Sequence, residues 1–139
     1  TRGYKNYSCC KERNMLHWCW MIIMKNEKVF KMKFIALYPL LVNKAVKKQR
    51  TQEEVNTVIT WLTGYSSQDI LQLLNTEITY EDFFKHAPHM NPNRVLITGK
   101  ICGITIESIE DPLMKEIRYL DKLIDELSKG RPLEKILRN

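Results

Sequence analysis

Three histidines, four cysteines and an excess of lysine and arginine are the side chains of this 139-residue chain best equipped for chemistry. Cys102 with His86 or His89 would make a nucleophile and its base if the fold brought them within hydrogen-bond reach. His86 and His89 stand three residues apart and could share a metal ion with Cys102. Pro88 lies between them, however, and no fourth ligand accompanies them, so no metal site is assigned. Asn91, Asn93 and Arg94 continue the same polar stretch. His86, His89, Asn91, Asn93, Arg94 and Cys102 therefore form the candidate pocket or loop, because irregular polar segments over a rigid scaffold are where sites tend to lie. The simpler reading makes Cys102 a small buried side chain and the histidines loop residues. A second candidate is cationic: Lys33, Lys44, Lys47 and Arg50 project to one side of a helix and would form an anion-binding face. No residue is assigned a catalytic role. Gly64, Gly99 and Gly103 fit neither G-x-G-x-x-G nor the Walker pattern, and G-x-S-x-G and H-E-x-x-H do not occur. No cofactor is expected.

The elements that must position these residues read as helices. Over residues 31–50, Phe34, Leu37, Tyr38, Leu41, Val42 and Ala45 keep three-to-four spacing. Pro39 falls inside that pattern and predicts a helix that starts or kinks there. Thr51 and Glu54 form a capping box ahead of a helix that turns Val55, Val58, Ile59 and Leu62 inward and ends at Gly64. Ser66 caps the next helix and Thr79 a short one carrying Tyr80, Phe83 and Phe84. Asp111-Pro112 opens the clearest element, with Leu113, Ile117, Leu120, Ile124 and Leu127 in a stripe read as core rather than as a dimer seam, and Gly130 stops it. Asp111–Lys115 and Asp125–Lys129 have the spacing of i,i+4 pairs. A last short helix follows Pro132. Residues 95–109 are ambiguous. Their β-branched residues allow a strand pair around Gly99-Lys100, whereas the Gly103-to-Ile109 stretch repeats the layout of Gly64-to-Ile70 and favours a further helix.

Charge is unevenly placed. The net +6 divides into +3 over residues 1–24, +7 over 25–50, −6 over 51–84, +2 over 85–109 and zero over 110–139. The segments either pack side by side and cancel or leave a basic face open to an anionic partner. Two helices meeting near Gly64 suggest a helix-turn-helix, but the second offers Ser66, Ser67, Gln68, Asp69 and Gln72 without a cation, which is poor chemistry for a DNA backbone. Hydrophobic residues at 44% and charged residues at 27% exclude a disordered chain, and no apolar run reaches the roughly 18 residues of a membrane span. Residues 1–23 hold three of the four cysteines and two of the three tryptophans without sustained periodicity. They read as a non-native or disordered extension ahead of Met24. They lack a small-residue cleavage site for a signal peptide, and Cys9, Cys10, His17 and Cys19 lack zinc spacing. The single remaining thiol, Cys102, fits a cytoplasmic protein.

The stretches TQEEVNTVITWLTGY (51–65), YEDFF (80–84), APHMNPNR (87–94), ITGKICG (97–103), EDPLMKEIRYLDKLIDELSKG (110–130) and KILR (135–138) resemble the bacterial domain-of-unknown-function family 2200. The resemblance implies a compact cytoplasmic bacterial protein and supplies no activity. The expectation is a single mainly α domain over 24–139, with five to six helices and room for a short β-hairpin near 95–106. The favoured function is a non-enzymatic interaction or accessory protein that self-associates, away from membranes. The alternatives are nucleic-acid binding through the basic face of residues 25–50 and an enzyme with its site near 86–102.

Overall fold

A computed structural model describes residues 26–101 and 103–138. Seven α-helices run through these residues: α1 (Asn26–Lys31), α2 (Phe34–Val46), α3 (Gln52–Thr63), α4 (Ser67–Leu73), α5 (Tyr80–Lys85), α6 (Pro112–Ser128) and α7 (Leu133–Ile136). Two 3₁₀ turns (Pro92–Leu96 and Ile106–Ser108) flank a hairpin of β1 (Lys100–Ile101) and β2 (Ile104–Thr105).

The caps form as the side chains dictate. Thr51 accepts from the Glu54 amide while Glu54 accepts from the Thr51 amide, and Ser66 and Asp69 repeat the box on α4. Thr79 caps α5, and Asp111 caps α6 through the Met114 amide, so the Asp111 carboxylate serves the helix end rather than Lys115. Gly64 sits at φ +84°, and a Cβ there would lie 2.8 Å from the backbone nitrogen of His89. Both the left-handed turn and the close approach of the loop require glycine.

Two segments depart from the sequence reading. The break between α1 and α2 had no periodicity signal. It is made by tertiary pairing: Phe34 N–H donates to Ile78 C=O and Tyr80 N–H donates to Met32 C=O, which draws residues 32–34 out of helix into a bridge with 78–80. Helix α2 then runs through Pro39 without starting there. Ile35 and Pro39 both lie on its exposed side, where water reaches the carbonyl that lost its donor. Within residues 95–109 the hairpin takes Lys100–Ile101 and Ile104–Thr105, and Ile106–Ser108 makes a 3₁₀ turn rather than a further α-helix. Lys100 pairs with Thr105 and Ile101 with Ile104, so the turn falls after Ile101 rather than at Gly99-Lys100, with Gly103 at φ +83°.

Helix α6 is the axis of the molecule and packs against α2, α3, α5, α7 and β1. Ile117, Leu120, Leu123, Ile124 and Leu127 are fully buried, which makes the stripe core. From Ile117 to Asp121 every residue is buried, so neighbours surround the helix on all sides. An aromatic cluster closes one end: Phe34 stacks on Phe83 at 4.3 Å between centroids, and Tyr65 donates to Phe83 C=O at 2.7 Å.

Candidate functional site

The polar loop after α5 is fastened at both ends. His89 N–H donates to Thr63 C=O at 3.0 Å and Asn91 N–H to Leu62 C=O at 2.9 Å, which satisfies carbonyls at the C-terminal end of α3. Asn91 Oδ1 then accepts from the Asn93 amide, an Asx turn that starts the 3₁₀ segment behind Pro92. Arg94 makes two bonds to the Glu116 carboxylate, at 3.0 and 2.8 Å, and donates to Asn91 C=O at 2.9 Å. Asn91, Asn93 and Arg94 thus clamp the loop between α3 and α6. His86 and His89 are both exposed. Cys102 lies outside the described residues, and with it the proposed cysteine–histidine pair.

The cationic residues scatter. Lys33 sits just ahead of α2 and pairs with Glu77, and Lys47 is exposed at the far end of the helix. Arg50 is held by Glu54 at 2.6 Å and donates to Arg131 C=O at 3.0 Å. Lys44 is only 3% exposed and lies against Asp125 at 3.1 Å, which removes it from the face on which it was projected. The reason is its register: Lys44 follows Leu41 by three residues and therefore shares the buried side of α2. Lys33–Glu77 and Arg50–Glu54 join the basic 25–50 segment to the acidic 51–84 segment, so part of the segregated charge cancels within the molecule.

Sequence reading missed the polar cluster inside α6. Arg118 and Asp121 are 2% and 0% exposed and meet at 2.8 Å. Asp125 bridges Lys44 and Lys129, the latter at 2.9 Å. Arg118, Asp121 and Asp125 follow i, i+3, i+7 spacing. That spacing is present in the sequence, but it runs beside the Leu/Ile stripe, and only partners far along the chain bury it. Burial pushes the Asp121 carboxyl above its usual range, although Arg118 opposes it. Burial also pushes Asp125 up, but Lys44 and Lys129 outweigh it and hold the group below the usual range. Lys44 itself is lowered by burial against the pull of Asp125. Tyr80 Oη and Asp121 Oδ1 are buried without a hydrogen-bond partner, and burial raises the Tyr80 hydroxyl well above its usual value.

Arg118 also walls an open cavity of about 500 Å³ between the start of α6 and the hairpin. Ile104, Ile109 and Met114 line its apolar sides, with Ser108, Glu110 and Asp111 towards its polar edge. Among the described residues no three His, Cys, Asp or Glu side chains are grouped to hold a metal ion, and no helix is long and apolar enough to cross a membrane.

Comparison with known proteins gives two matches. The family described as "Uncharacterized protein conserved in bacteria (DUF2200)" matches residues 28–138. The crystal structure of uncharacterized protein SP1917 is 49% identical, with a TM-score of 0.78, over 83% of this chain and 93% of that one. No curated protein matches the chain.

Proposed function

The chain belongs to the DUF2200 family of uncharacterized proteins conserved in bacteria, and from that premise we propose that it is a non-enzymatic interaction or accessory protein of the bacterial cytoplasm that pairs with a second copy of itself. The observation that carries the reading is the tip of the first 3₁₀ turn. Val95 is 64% exposed and Leu96 55% exposed, side by side on a segment that the Asx turn and the Arg94–Glu116 pair hold in place. Ile35, Val46 and Leu71 are also exposed, but they are spread over α2 and α4. Single exposed apolar residues are ordinary on any surface; two in succession on an anchored turn make a preformed knob of the kind a protein contact uses.

Sedimentation velocity of the full chain tests this. The reading expects a concentration-dependent dimer that is lost in V95S/L96S while the melting temperature is kept. A monomer at ~1 mM, a concentration at which an association worth about 4 kcal/mol is half complete, sinks self-association. A dimer unchanged in the variant places the contact elsewhere.

The second reading, nucleic-acid binding through residues 25–50, is supported by the exposure of Lys28, Lys31 and Lys47. It predicts DNA or RNA affinity at low salt that falls steeply as salt rises and weakens in K28A/K31A/K47A. The third reading, an enzyme near 86–102, rests on His86 and His89, both open to solvent.

A further inference from the structure

The outer side of α2 is more apolar than a solvated helix face needs to be. Residues 34–43 read FIALYPLLVN and carry no charge. The core takes Phe34, Leu37, Tyr38, Leu41 and Ala45. At about 100° per residue, Ile35, Pro39, Val42 and Val46 fall in a strip about 60° wide beside that face. Ile35 and Val46 are 45% and 50% exposed, Pro39 is exposed and Val42 is half-buried. Asn43 is the only exposed polar side chain between Phe34 and Val46. Lysines stand at both ends of the helix. Lys31 and Lys33 precede Phe34, Lys47 and Lys48 follow Val46, and all four are exposed. Lys33 is met by Glu77, whereas Lys31 and Lys47 make no ion pair among the described residues. The chain holds no acid between Glu27 and Glu53.

We propose that α2 docks in the plane of an anionic lipid surface, with Ile35, Pro39, Val42 and Val46 at the acyl boundary and Lys31 and Lys47 among the headgroup phosphates. The charge pattern selects this occupant. Two copies of α2 laid on each other would bring lysine-bearing ends together in either direction, which costs affinity. A strip about 20 Å long and 10 Å wide also offers only about 200 Å², against ~800 Å² per partner in a stable complex. A nucleic acid would use the lysines and leave the apolar strip against phosphates. An anionic bilayer meets both parts, because apolar side chains reach the acyl boundary while flanking cations stay with the headgroups. Docking in the plane needs no spanning helix, and none is present among the described residues. The contact lies apart from the Val95–Leu96 turn and goes beyond the self-association reading.

The test is cosedimentation of the full chain with vesicles of phosphatidylglycerol and phosphatidylcholine. Binding is expected at low salt, falling as salt rises, and at least ~10-fold weaker on phosphatidylcholine alone. Ile35→Gln with Val46→Gln exchanges two exposed side chains for good helix formers. This pair should weaken vesicle binding at least ~10-fold at an unchanged melting temperature. Lys31→Ala with Lys47→Ala should weaken it by about 10-fold. V95S/L96S should leave it unchanged, which separates this docking from the self-association reading. The proposal is overturned if the chain does not sediment with anionic vesicles at low salt, or binds phosphatidylcholine alone as tightly. It is equally overturned if binding is indifferent to Ile35→Gln with Val46→Gln. Loss of a dimer in that variant, read by sedimentation velocity, would give the strip to a second copy. A melting temperature lowered by several degrees would mean that the chain covers the strip itself. Either result also overturns lipid docking.

Discussion

Asp125 shows how a single buried residue can be judged by what its loss would strand. Its carboxylate answers Lys44, a cation with 2% side-chain exposure. Asp125→Asn takes from that buried ammonium the carboxylate bonded to it, a change that costs about 3–5 kcal/mol near neutral pH. Urea denaturation should read it. The pH dependence follows from the direction of the shift. The folded Asp125 carboxyl is held below its unfolded value, so its stabilisation is present above the usual carboxylate pKa and is lost as pH falls through the folded one. The gap between the parent and Asp125→Asn should therefore narrow only in strong acid. Replacing both partners, Lys44→Met with Asp125→Leu, should cost far less than either single change, because neither buried charge of the pair is stranded and Lys129 is exposed to water. Tyr65 gives the alkaline counterpart. Burial pushes its hydroxyl up to about 12, so the unfolded chain ionises first and stability falls as pH rises above about 10. Tyr65→Phe should flatten part of that decline in denaturation curves taken across pH, while losing about 1 kcal/mol at neutral pH with the bond to Phe83 C=O.

At the scale of elements, the helices announced themselves where local chemistry decides. Thr51 with Glu54, Ser66, Thr79 and Asp111-Pro112 mark starts that the structure honours, since a cap is made within four residues. What the sequence concealed depends on partners far along the chain. The bridge from Lys33 to Thr79 splits α1 from α2, and the environment of α6 decides that Arg118 and Asp121 are buried. The candidate loop was legible in a different sense: its place was found, and Asn91, Asn93 and Arg94 fasten it to its neighbours. Two backbone predictions belong here. Gly64→Ala must both adopt φ +84° and push His89 away, and should lower the melting temperature by several degrees, the effect of about 1–3 kcal/mol in a domain of this size. Gln49 holds φ +65° in the turn after α2, where Arg50 N–H reaches back to Ala45 C=O. Gln49→Gly should raise the melting temperature, by up to about 1 kcal/mol of relieved strain.

The described residues are organised by a helix near the C-terminal end, against which α2, α3 and α5 of the charge-segregated segments pack. The basic and acidic segments meet through Lys33–Glu77 and Arg50–Glu54, exposed or half-buried pairs that contribute little each. Raising salt should therefore leave the melting temperature nearly unchanged, and a large fall would mean that the summed field of the two segments matters more than the apolar core. Deleting residues 1–23 should likewise leave thermal unfolding within ~2 °C of the full chain, because the core of the described residues is drawn from Val29 to Ile136.

The position of α6 also sets an order of events during synthesis. Phe34, Leu41, Val58 and Ile59 belong to a core that residues 112–128 complete. At about 5–20 residues per second the ribosome delivers α2 and α3 seconds before α6. The nascent chain thus spends that interval with its greasiest helices uncovered, and any transcript cut short before residue 112 yields a polypeptide that keeps them so. Survival of the newborn protein then depends on how fast its last fifth arrives and on what shelters the rest meanwhile.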